Sequence, residues 1–324
     1  ISDELLISKE KIEIASSICK VDLLSDLVGE FPELQGILGG YFAEIQGFEK
    51  EVCVAIKEHY LPHGTDSKIP KKPYSIALSL SDKIDTLIGF FAIGLKPTSS
   101  KDPYALRRLA IGVIKIILEN KIKLKLRDFI NYSCQLYIDQ NVGLDIKNVK
   151  KDVTYFFHDR FKNHMKDNGV RHDIIECAIS SYNLDNILKI YTKANVLNKL
   201  ISKEVGADVI FSYKRAFNIL INESKNIDTD VSGNVDPGLF KNDFEKILYK
   251  KIYNIRKDFT NVGKEDDYKG LLLNLASVKK EVTDFFENVI VNDNDINIKK
   301  NRLELLKMLC KTFDNYFNFS KIES

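Results

Sequence analysis

Hydrophobic residues recur at helical intervals along most of this 324-residue chain. Within positions 268–291 one stripe steps by four, three, four, three and four residues and comprises Leu271, Leu275, Val278, Val282, Phe285 and Val289. This spacing predicts one amphipathic helix. The polar segment 292–300 is predicted as a turn that leads into a second, antiparallel helix. The stripe of that helix comprises Leu303, Leu306, Cys310, Phe313 and Phe317.

Strand-like alternation is scarce in this chain. The segment KIKLKLRDF, at 121–129, alternates basic and apolar residues, but it covers too few positions to outweigh the surrounding helical pattern. Glycine and proline predict loops at 61–73 and 232–238. Before a further helical stripe, Asp102 is predicted to cap a helix whose first residue is Pro103. The chain is therefore predicted to be all-α.

The segment LVGEFPELQGILGGYF, at 27–42, interrupts this helical pattern. Pro32 fits the first position of a helix. Glycines let the backbone turn and approach its neighbours closely, and those of this segment are Gly29, Gly36, Gly39 and Gly40. They can serve helix packing alone, or they can also leave the backbone open to a binding partner.

Composition and charge limit the class of protein. Apolar residues make up 44% of the chain and charged residues 29%, which predicts a globular protein of two or three domains. Neither a membrane-spanning apolar run nor a signal peptide is evident, so the cytoplasm is the expected compartment. The five cysteines are scattered and are expected to be buried thiols. Because the net charge is only +2, any nucleic-acid binding must depend on local basic clusters.

Six segments carry a family resemblance: VGEFPELQGILGGYFA, EHYLP, LSDKIDTLIGFFAIGLKPTSSKDPYALRR, YKRAFNIL, VKKEVTDFFENVIV and NRLELL. In this order they resemble the C-terminal half of bacterial glycyl-tRNA synthetase β subunits. The resemblance implies a degenerate HD-like helical domain at 1–128, a helical linker region at 129–195 and a DALR-type anticodon-binding helix bundle at 196–324. β subunits of this family carry further N-terminal domains that are not seen here, so the chain is interpreted as a fragment.

An HD-like domain raises the question of metal chemistry. An active HD-type phosphohydrolase binds metal through separated histidines, a His-Asp dyad and a later aspartate. The resemblance aligns the dyad with residues 19–22, where Lys20 would repel a metal ion, and the later aspartate with Asp82. We therefore predict that this site holds no metal and that Asp82 caps or pairs within the helical core.

The histidines elsewhere do not complete such a site. The pairs His158-Asp159 and His172-Asp173 follow Asp82 in the wrong order and are interpreted as unrelated to it. The remaining histidines have no ligand spacing and are assigned surface or packing roles; they are His59, His63 and His164.

The resemblance also implies contacts with tRNA, and it favours an RNA-facing surface for the glycine-containing segment 27–42. In the HD-like domain the predicted acceptor-arm contacts are Lys20, Glu30, Gln35, Arg107 and Arg108. In the bundle the predicted anticodon contacts are Tyr213, Lys214, Arg215, Asn218, Lys299, Lys300, Asn301 and Arg302. Lysine and arginine bind phosphates, tyrosine stacks on unpaired bases, and arginine or asparagine can donate to the cytosines of a glycine anticodon. Each residue can instead be a solvated surface residue.

The function implied by the resemblance is tRNA recognition. Glycine attachment, with its ATP and Mg²⁺, belongs in this family to a separate α subunit, so the chain is predicted to have no catalytic residue and to bind no cofactor. The expected partners are tRNA(Gly) and the α subunit, in an α2β2 assembly away from membranes. Two other functions stay open: an HD-type metal-dependent phosphohydrolase and a purely structural helical scaffold.

Overall fold

The computed structural model describes residues 1–64, 67–140, 146–180, 186–223, 231–262 and 267–323, without the side chains of 146, 147 and 259–262. All regular secondary structure in these ranges is helical, which confirms the all-α prediction. Short 3₁₀ turns occupy Val21–Leu24, Pro32–Leu34, Pro237–Leu239 and Phe319–Lys321. The α-helices are, in chain order, α1 (Ser2–Leu5), α2 (Lys9–Ile18), α3 (Asp26–Glu30), α4 (Ile37–Ile45), α5 (Lys50–Glu58), α6 (Pro73–Ala92), α7 (Leu106–Glu119), α8 (Leu126–Asp139), α9 (Ile146–Asp167), α10 (His172–Ile179), α11 (Ile187–Ile201), α12 (Glu204–Glu223), α13 (Asp243–Val262), α14 (Tyr268–Ala276), α15 (Lys279–Asn288) and α16 (Ile296–Asp314).

The chain divides into two compact units. The first contains Ile1–Met165 and Leu184–Leu188, and the second contains Lys166–Asn183 and Lys189–Ser324. Helix α8 and most of α9 therefore belong to the first unit, whereas α10 and most of α11 belong to the second. The residues of the predicted linker, 129–195, contribute to both units, and the three-part division of the chain stays a prediction.

Helices α5, α6 and α7 form the core of the first unit. The side chains that these helices bury completely include Ile56, Leu80, Ile84, Ile114 and Ile117. Lys83 is buried with them, and its Nζ donates to the carbonyl oxygens of His59 (3.2 Å) and Tyr60 (3.1 Å) and to Ser79 Oγ (2.9 Å). Burial lowers the pKa of Lys83 to about 8. This lysine binds the C-terminal end of α5 to α6.

The glycine-rich segment packs α4 tightly against α5. A Cβ atom on Gly40 would lie 2.8 Å from both the Cys53 carbonyl oxygen and Lys57 Cβ. Gly36 has a φ of +78°, which favours glycine, and precedes the first residue of α4. Pro32 begins a 3₁₀ turn, as its position predicts. Close helix packing therefore accounts for these two glycines.

The second unit is a helix bundle. Helix α12 packs against α14, α15 and α16, and α13 packs against α14, α15 and α16. Its core is rich in buried aromatic side chains, namely Tyr213, Phe285, Phe313, Phe317 and Phe319. The cysteines of both units are free and buried, as predicted.

The stripe at 268–291 lies in two helices, so the prediction of one helix is wrong. Helix α14 ends at Ala276 and α15 begins at Lys279. At the break, Ser277 Oγ donates to the Asn274 carbonyl oxygen (2.7 Å), so this side chain competes with the helical hydrogen bonds. All six apolar residues of the stripe remain buried on both sides of the break.

Two predicted helix starts also differ from the structure. Asp102 accepts hydrogen bonds from the backbone N–H groups of Leu106 (2.8 Å) and Arg107 (3.0 Å), which confirms its capping role. Pro103 nevertheless lies in a turn before α7, because the helix begins only at Leu106. Helix α16 begins at Ile296, inside the segment predicted as a turn, because Asp295 caps it.

Candidate nucleic-acid interface

Tyr213 on α12 lies inside the bundle. It is 1% exposed, and its ring packs against Phe217, Phe313 and Phe319. Its hydroxyl donates to Asp314 Oδ2 (3.2 Å), and burial raises its pKa. The predicted stacking of Tyr213 on an RNA base is therefore corrected, because the ring has no face in contact with solvent.

Arg215, two residues further along α12, lies on the outer side of the bundle. Its guanidinium carbon is 4.7 Å from the ring centroid of Phe286 on α15 and 5.6 Å from that of Phe211 on α12. Phe211 is 39% exposed, whereas Arg215 and Phe286 are half-buried. We call Phe211, Arg215 and Phe286 the aromatic–arginine cluster. It combines a cation with π faces, which are the features that bind unpaired bases.

The two other α12 residues of the prediction flank this cluster in sequence. Asn218 is exposed and Lys214 is half-buried. The sequence analysis did not identify the two phenylalanines. The spacing of Phe211 and Arg215, four residues apart on one helix, could have indicated Phe211, whereas Phe286 reaches the cluster only through tertiary packing.

Arg302, in the second turn of α16, is part of a buried ionic network. It is 5% exposed and donates to Glu245 Oε1 (2.7 Å), Asp293 Oδ2 (2.7 Å) and the Ile290 carbonyl oxygen (2.8 Å). The other oxygen of Glu245 accepts from the backbone N–H of Asn242 (3.0 Å), which belongs to the capping box at the start of α13. All groups that Arg302 would use to donate to a cytosine lie in this buried environment, so its predicted role is corrected to a structural one.

Asn301 is likewise structural. It is 4% exposed, and its side chain accepts from the Asp236 backbone N–H (2.8 Å) and donates to the Asp236 carbonyl oxygen (2.9 Å). Glu304, one turn later, accepts from the backbone N–H groups of Gly233 and Asn234. These bonds fix the loop predicted at 232–238 to α16, so the predicted contact of Asn301 with RNA is corrected.

The two lysines before Asn301 differ in their contacts. Lys299 forms an ion pair with Glu223 (2.7 Å), and both side chains are mostly buried. Lys300 is half-buried, and within the described residues no ion pair is found for it. Of the four predicted contacts at 299–302, Lys300 is thus the one that keeps an accessible charge without a described acidic partner.

In the first unit, Lys20 forms an ion pair with Asp82. Lys20 Nζ lies 2.5 Å from Asp82 Oδ1. Burial alone would lower the pKa of Lys20, but the hydrogen bond and the charge of Asp82 outweigh it and raise that pKa. Asp82 therefore pairs in the core, as predicted, and its partner is the lysine that replaces a ligand of the metal-binding pattern. Among the described residues no group of three acidic, histidine or cysteine side chains is arranged to hold a metal ion.

Other residues of this neighbourhood also have structural roles. Asp22 is buried, and its Oδ2 accepts from the backbone N–H groups of Gly36 (2.6 Å) and Gly39 (3.2 Å) at the start of α4. His59 is completely buried, and its Nδ1 lies 2.6 Å from the Ile56 carbonyl oxygen. Burial lowers the pKa of His59 and the charge of Asp82 opposes this shift, so the histidine favours its neutral form.

A cleft of about 680 Å³ opens beside the Lys20–Asp82 pair. Its walls come from α2, α6 and α8, and they include Phe129, Tyr132 and Leu136. Its polar groups include Asp85 in addition to the ion pair. Since the cleft carries more acidic than basic side chains, it is a poor site for a phosphate.

The other predicted acceptor-arm contacts differ in accessibility. Arg108 is exposed, whereas Arg107 donates to the Thr98 carbonyl oxygen and lies 3.9 Å from Asp102. Gln35 donates to the Tyr60 hydroxyl (2.5 Å). Glu30 is exposed, but it is acidic and would repel phosphates. Arg108 is thus the exposed cation of this predicted set that has no described acidic partner.

The segment around these glycines also lacks the charge that RNA binding requires. Residues 21–48 contain no lysine or arginine, and their exposed acidic side chains are Asp26, Glu30, Glu33 and Glu44. A surface of this composition repels a phosphate backbone. The structure therefore favours the helix-packing role of the segment over the RNA-facing role.

The two downstream His-Asp pairs form contacts of their own. Asp173 is buried at the start of α10, where it pairs with Arg171 (2.7 Å) and accepts from the Glu323 backbone N–H (2.9 Å). His172 lies 3.9 Å from Glu176. Asp159 pairs with Arg160. These residues stabilise their own helices, in keeping with the interpretation of the two pairs as unrelated to a metal site.

Comparisons with known proteins agree with the resemblance seen in the sequence. Residues 209–324 match the family model described as the DALR anticodon binding domain, so the bundle belongs to a class of anticodon-binding domains. Residues 1–180 match the model described as glycyl-tRNA synthetase beta subunit, and the chain belongs to that family.

Similar curated proteins carry the same name. The chain is 38% identical over 311 residues to the glycine–tRNA ligase beta subunit of Rickettsia typhi and 36% identical over 315 residues to that of Rhodospirillum centenum. It is 39% identical over 309 residues to that of Rickettsia conorii. These alignments cover 95%, 97% and 95% of this chain, respectively, but only 44% of each relative. Among the described helices, none is both long and apolar enough to cross a bilayer.

Proposed function

We propose that this chain is the tRNA-recognition portion of a glycyl-tRNA synthetase β subunit, acting in the cytoplasm. The observation that carries the proposal is the aromatic–arginine cluster on the outer side of a bundle that matches an anticodon-binding domain. A guanidinium beside two phenyl rings offers stacking surfaces and a positive charge to one unpaired base. The name of these relatives supplies the amino acid, glycine.

The bundle would bind the anticodon loop through this cluster. An unpaired anticodon base stacks on Phe211 or Phe286, while Arg215, Lys214 and Lys300 neutralise neighbouring phosphates. Asn218, exposed one turn beyond Arg215, can donate to or accept from a base edge. Glycine anticodons carry two cytosines, and a cytosine edge offers both donor and acceptor groups, so an amide is a suitable reader.

The first unit would bind the acceptor arm. Arg108 is the exposed arginine of the predicted set, and it can contact a phosphate directly. The chain thereby positions the tRNA so that the α subunit, which supplies ATP and Mg²⁺ chemistry, can attach glycine to its end. Positioning of this kind makes an intermolecular transfer effectively intramolecular, so the chain contributes to the reaction without a catalytic residue of its own. An α2β2 assembly is part of this proposal.

Footprinting on a glycine tRNA transcript tests the proposal. We expect the purified chain to protect the anticodon loop and the acceptor arm from hydroxyl radicals, with micromolar or tighter affinity that falls steeply with salt. A transcript in which both anticodon cytosines are replaced by guanines serves as the matched control and should lose protection of the loop. A chain that protects neither end at low ionic strength would contradict the proposal, and metal-dependent hydrolysis of a nucleotide would support the phosphohydrolase alternative instead.

A further inference from the structure

Two loops of the first unit, together with the first turn of α8, carry a dense cluster of basic residues. Seven of them, all exposed, are Lys68, Lys71, Lys72, Lys121, Lys123, Lys125 and Arg127. We call these seven residues the basic loop patch. Within 68–72 and 119–128 the acidic residues are only Glu119 and Asp128. The net charge of the whole chain, +2, conceals this local excess.

The two loops lie side by side. Asn120 Nδ2 donates to the Pro70 carbonyl oxygen (3.1 Å), and Lys71 Nζ lies 3.4 Å from Glu119 Oε2. The adjacent helices explain this contact. Phe129 and Ser133 of α8 line the same cleft as Leu78 and Asp82 of α6, so the two helices run parallel and begin at the same end of the unit.

Both helix starts lack a side-chain cap. Lys72 is the N-cap residue of α6 and Lys125 that of α8, and neither side chain accepts a hydrogen bond from the first turn. A lysine cannot accept such a bond, but Pro73 has no N–H group and Ser75 and Leu126 are buried, so these helix starts act mainly through their dipoles. The helix dipoles place partial positive charge at the same point. Two helix starts and seven basic side chains thus favour negative charge at one end of the unit.

We propose that the basic loop patch binds the sugar–phosphate backbone of a double-stranded stem of the tRNA. A row of exposed lysines recognises phosphates by charge and carries no group arranged to read a base, so this contact is independent of sequence. The proposal rests on the proposed function for its RNA, but the patch is distinct from the predicted acceptor-arm contacts. In the sequence, segment 121–129 was considered only as a candidate strand. Its four basic residues could have indicated the patch.

A charge-neutralising variant of the whole chain tests this inference. Lys72→Gln, Lys123→Gln and Lys125→Gln are combined in one protein, and the matched control combines Lys50→Gln, Lys101→Gln and Lys151→Gln, which are also exposed lysines of the first unit. Affinity for the glycine tRNA transcript is measured by filter binding between roughly 50 and 300 mM salt, where the Debye length is on the order of 10 Å.

We expect the patch variant to bind the transcript about 10-fold or more weakly than wild type at roughly 0.1 M salt, and its slope of log affinity against log salt to be shallower by about two to three. The control should remain within about threefold of wild type, because its lysines lie outside the patch. An isolated duplex with the sequence of the acceptor stem should show the same difference between the two variants.

Three results would overturn the inference. Equal tRNA binding by the patch and control variants removes the patch from the RNA interface and leaves the proposed function standing. Absence of tRNA binding by the wild-type chain overturns both. Patch-dependent binding to vesicles of anionic phospholipid, without patch-dependent binding to the duplex, would assign the same phosphate chemistry to a membrane surface.

Discussion

The two basic clusters of the bundle look alike in sequence and differ in the fold. YKRAFN at 213–218 and KKNR at 299–302 both combine cations with polar or aromatic residues. In the structure Arg215 lies against exposed and half-buried rings, whereas Arg302 is buried and surrounded by three oxygen acceptors. The comparison teaches that a basic residue on a helix indicates RNA binding only if the fold leaves its donors accessible, and both arginines lie within their helices and not at the helix starts.

Arg215 and Arg302 differ in burial because the helices on which they lie differ in burial. From Ile298 to Phe313, α16 is buried on nearly all sides, so a cation on it must find partners within the protein. Helix α12 buries a single stripe and keeps one face outside. A buried guanidinium is retained because Glu245, Asp293 and a carbonyl oxygen satisfy it together.

Arg302→Ala should give the largest effect, on stability. Removal of the guanidinium leaves Glu245 buried without its partner, and breaking a buried ion pair in this way costs about 3–5 kcal/mol. The free energy of unfolding, measured with urea, should fall by that amount. The neighbouring variant Lys300→Ala serves as control and should change it by less than about 1 kcal/mol. Similar losses in both variants would show that the two residues do not differ as the structure indicates.

Arg215→Ala should act on RNA affinity instead. The cluster loses its cation, and the loss of one stacked or cation–π contact to a base costs about 1–3 kcal/mol, or roughly 5- to 150-fold in affinity for the glycine tRNA transcript. Unfolding in urea should be nearly unchanged. Arg256→Ala is the matched control, since Arg256 is exposed on α13 of the same unit. If the Arg256 variant weakened binding as much, the effect would reflect net charge and not the cluster.

Tyr213→Phe should have a smaller effect, confined to stability. It removes the hydroxyl that donates to Asp314 and keeps the buried ring, so we expect a loss of about 1 kcal/mol in the free energy of unfolding. Affinity for the transcript should stay within twofold of wild type. A clear loss of affinity without a loss of stability would restore Tyr213 as an RNA contact.

Much of the fold could be predicted from the sequence because helical periodicity is a local signal. The stripe from Leu303 to Phe317 is buried as its spacing predicts. Asp102 caps the first turn of α7, as its position before that helix predicts. The wrong predictions concern the ends of helices, where a single side-chain hydrogen bond to the backbone determines whether the helix continues. Ser277 breaks a continuous stripe, and Asp295 starts a helix inside a polar segment. Periodicity does not detect these side-chain bonds to the backbone.

The candidate site could be predicted only in part, because accessibility depends on tertiary packing. Arg215, Asn218 and Lys300 remain accessible, but the residues that bury Arg302 come from 57 and 9 positions away in the chain. Phe286 was missed for the same reason, because it lies far from Arg215 in the sequence and contacts it only where α15 packs against α12. Basic residues in a loop can be identified from the sequence alone. The residues of the basic loop patch could therefore have been identified before the fold was known.

Asp293→Asn should give the smallest effect and separates the charge of the Arg302 network from its packing. The backbone N–H of Asp295 and then the guanidinium of Arg302 hold the pKa of Asp293 below its ordinary value of 3.8. A lowered pKa means that the folded chain binds this proton less readily than the unfolded chain does, so the stabilisation is complete above about pH 4 and is lost as the pH falls through the lowered pKa.

The asparagine variant should therefore unfold more easily at pH 7, and its stability should depend less on pH between 5 and 3. Asp258→Asn, at an exposed position of α13, should leave the acid dependence unchanged. An acid dependence of Asp293→Asn equal to that of wild type would mean that Asp293 adds nothing to the acid dependence of stability, and that Glu245 and the Ile290 carbonyl oxygen satisfy the buried guanidinium of Arg302 without it.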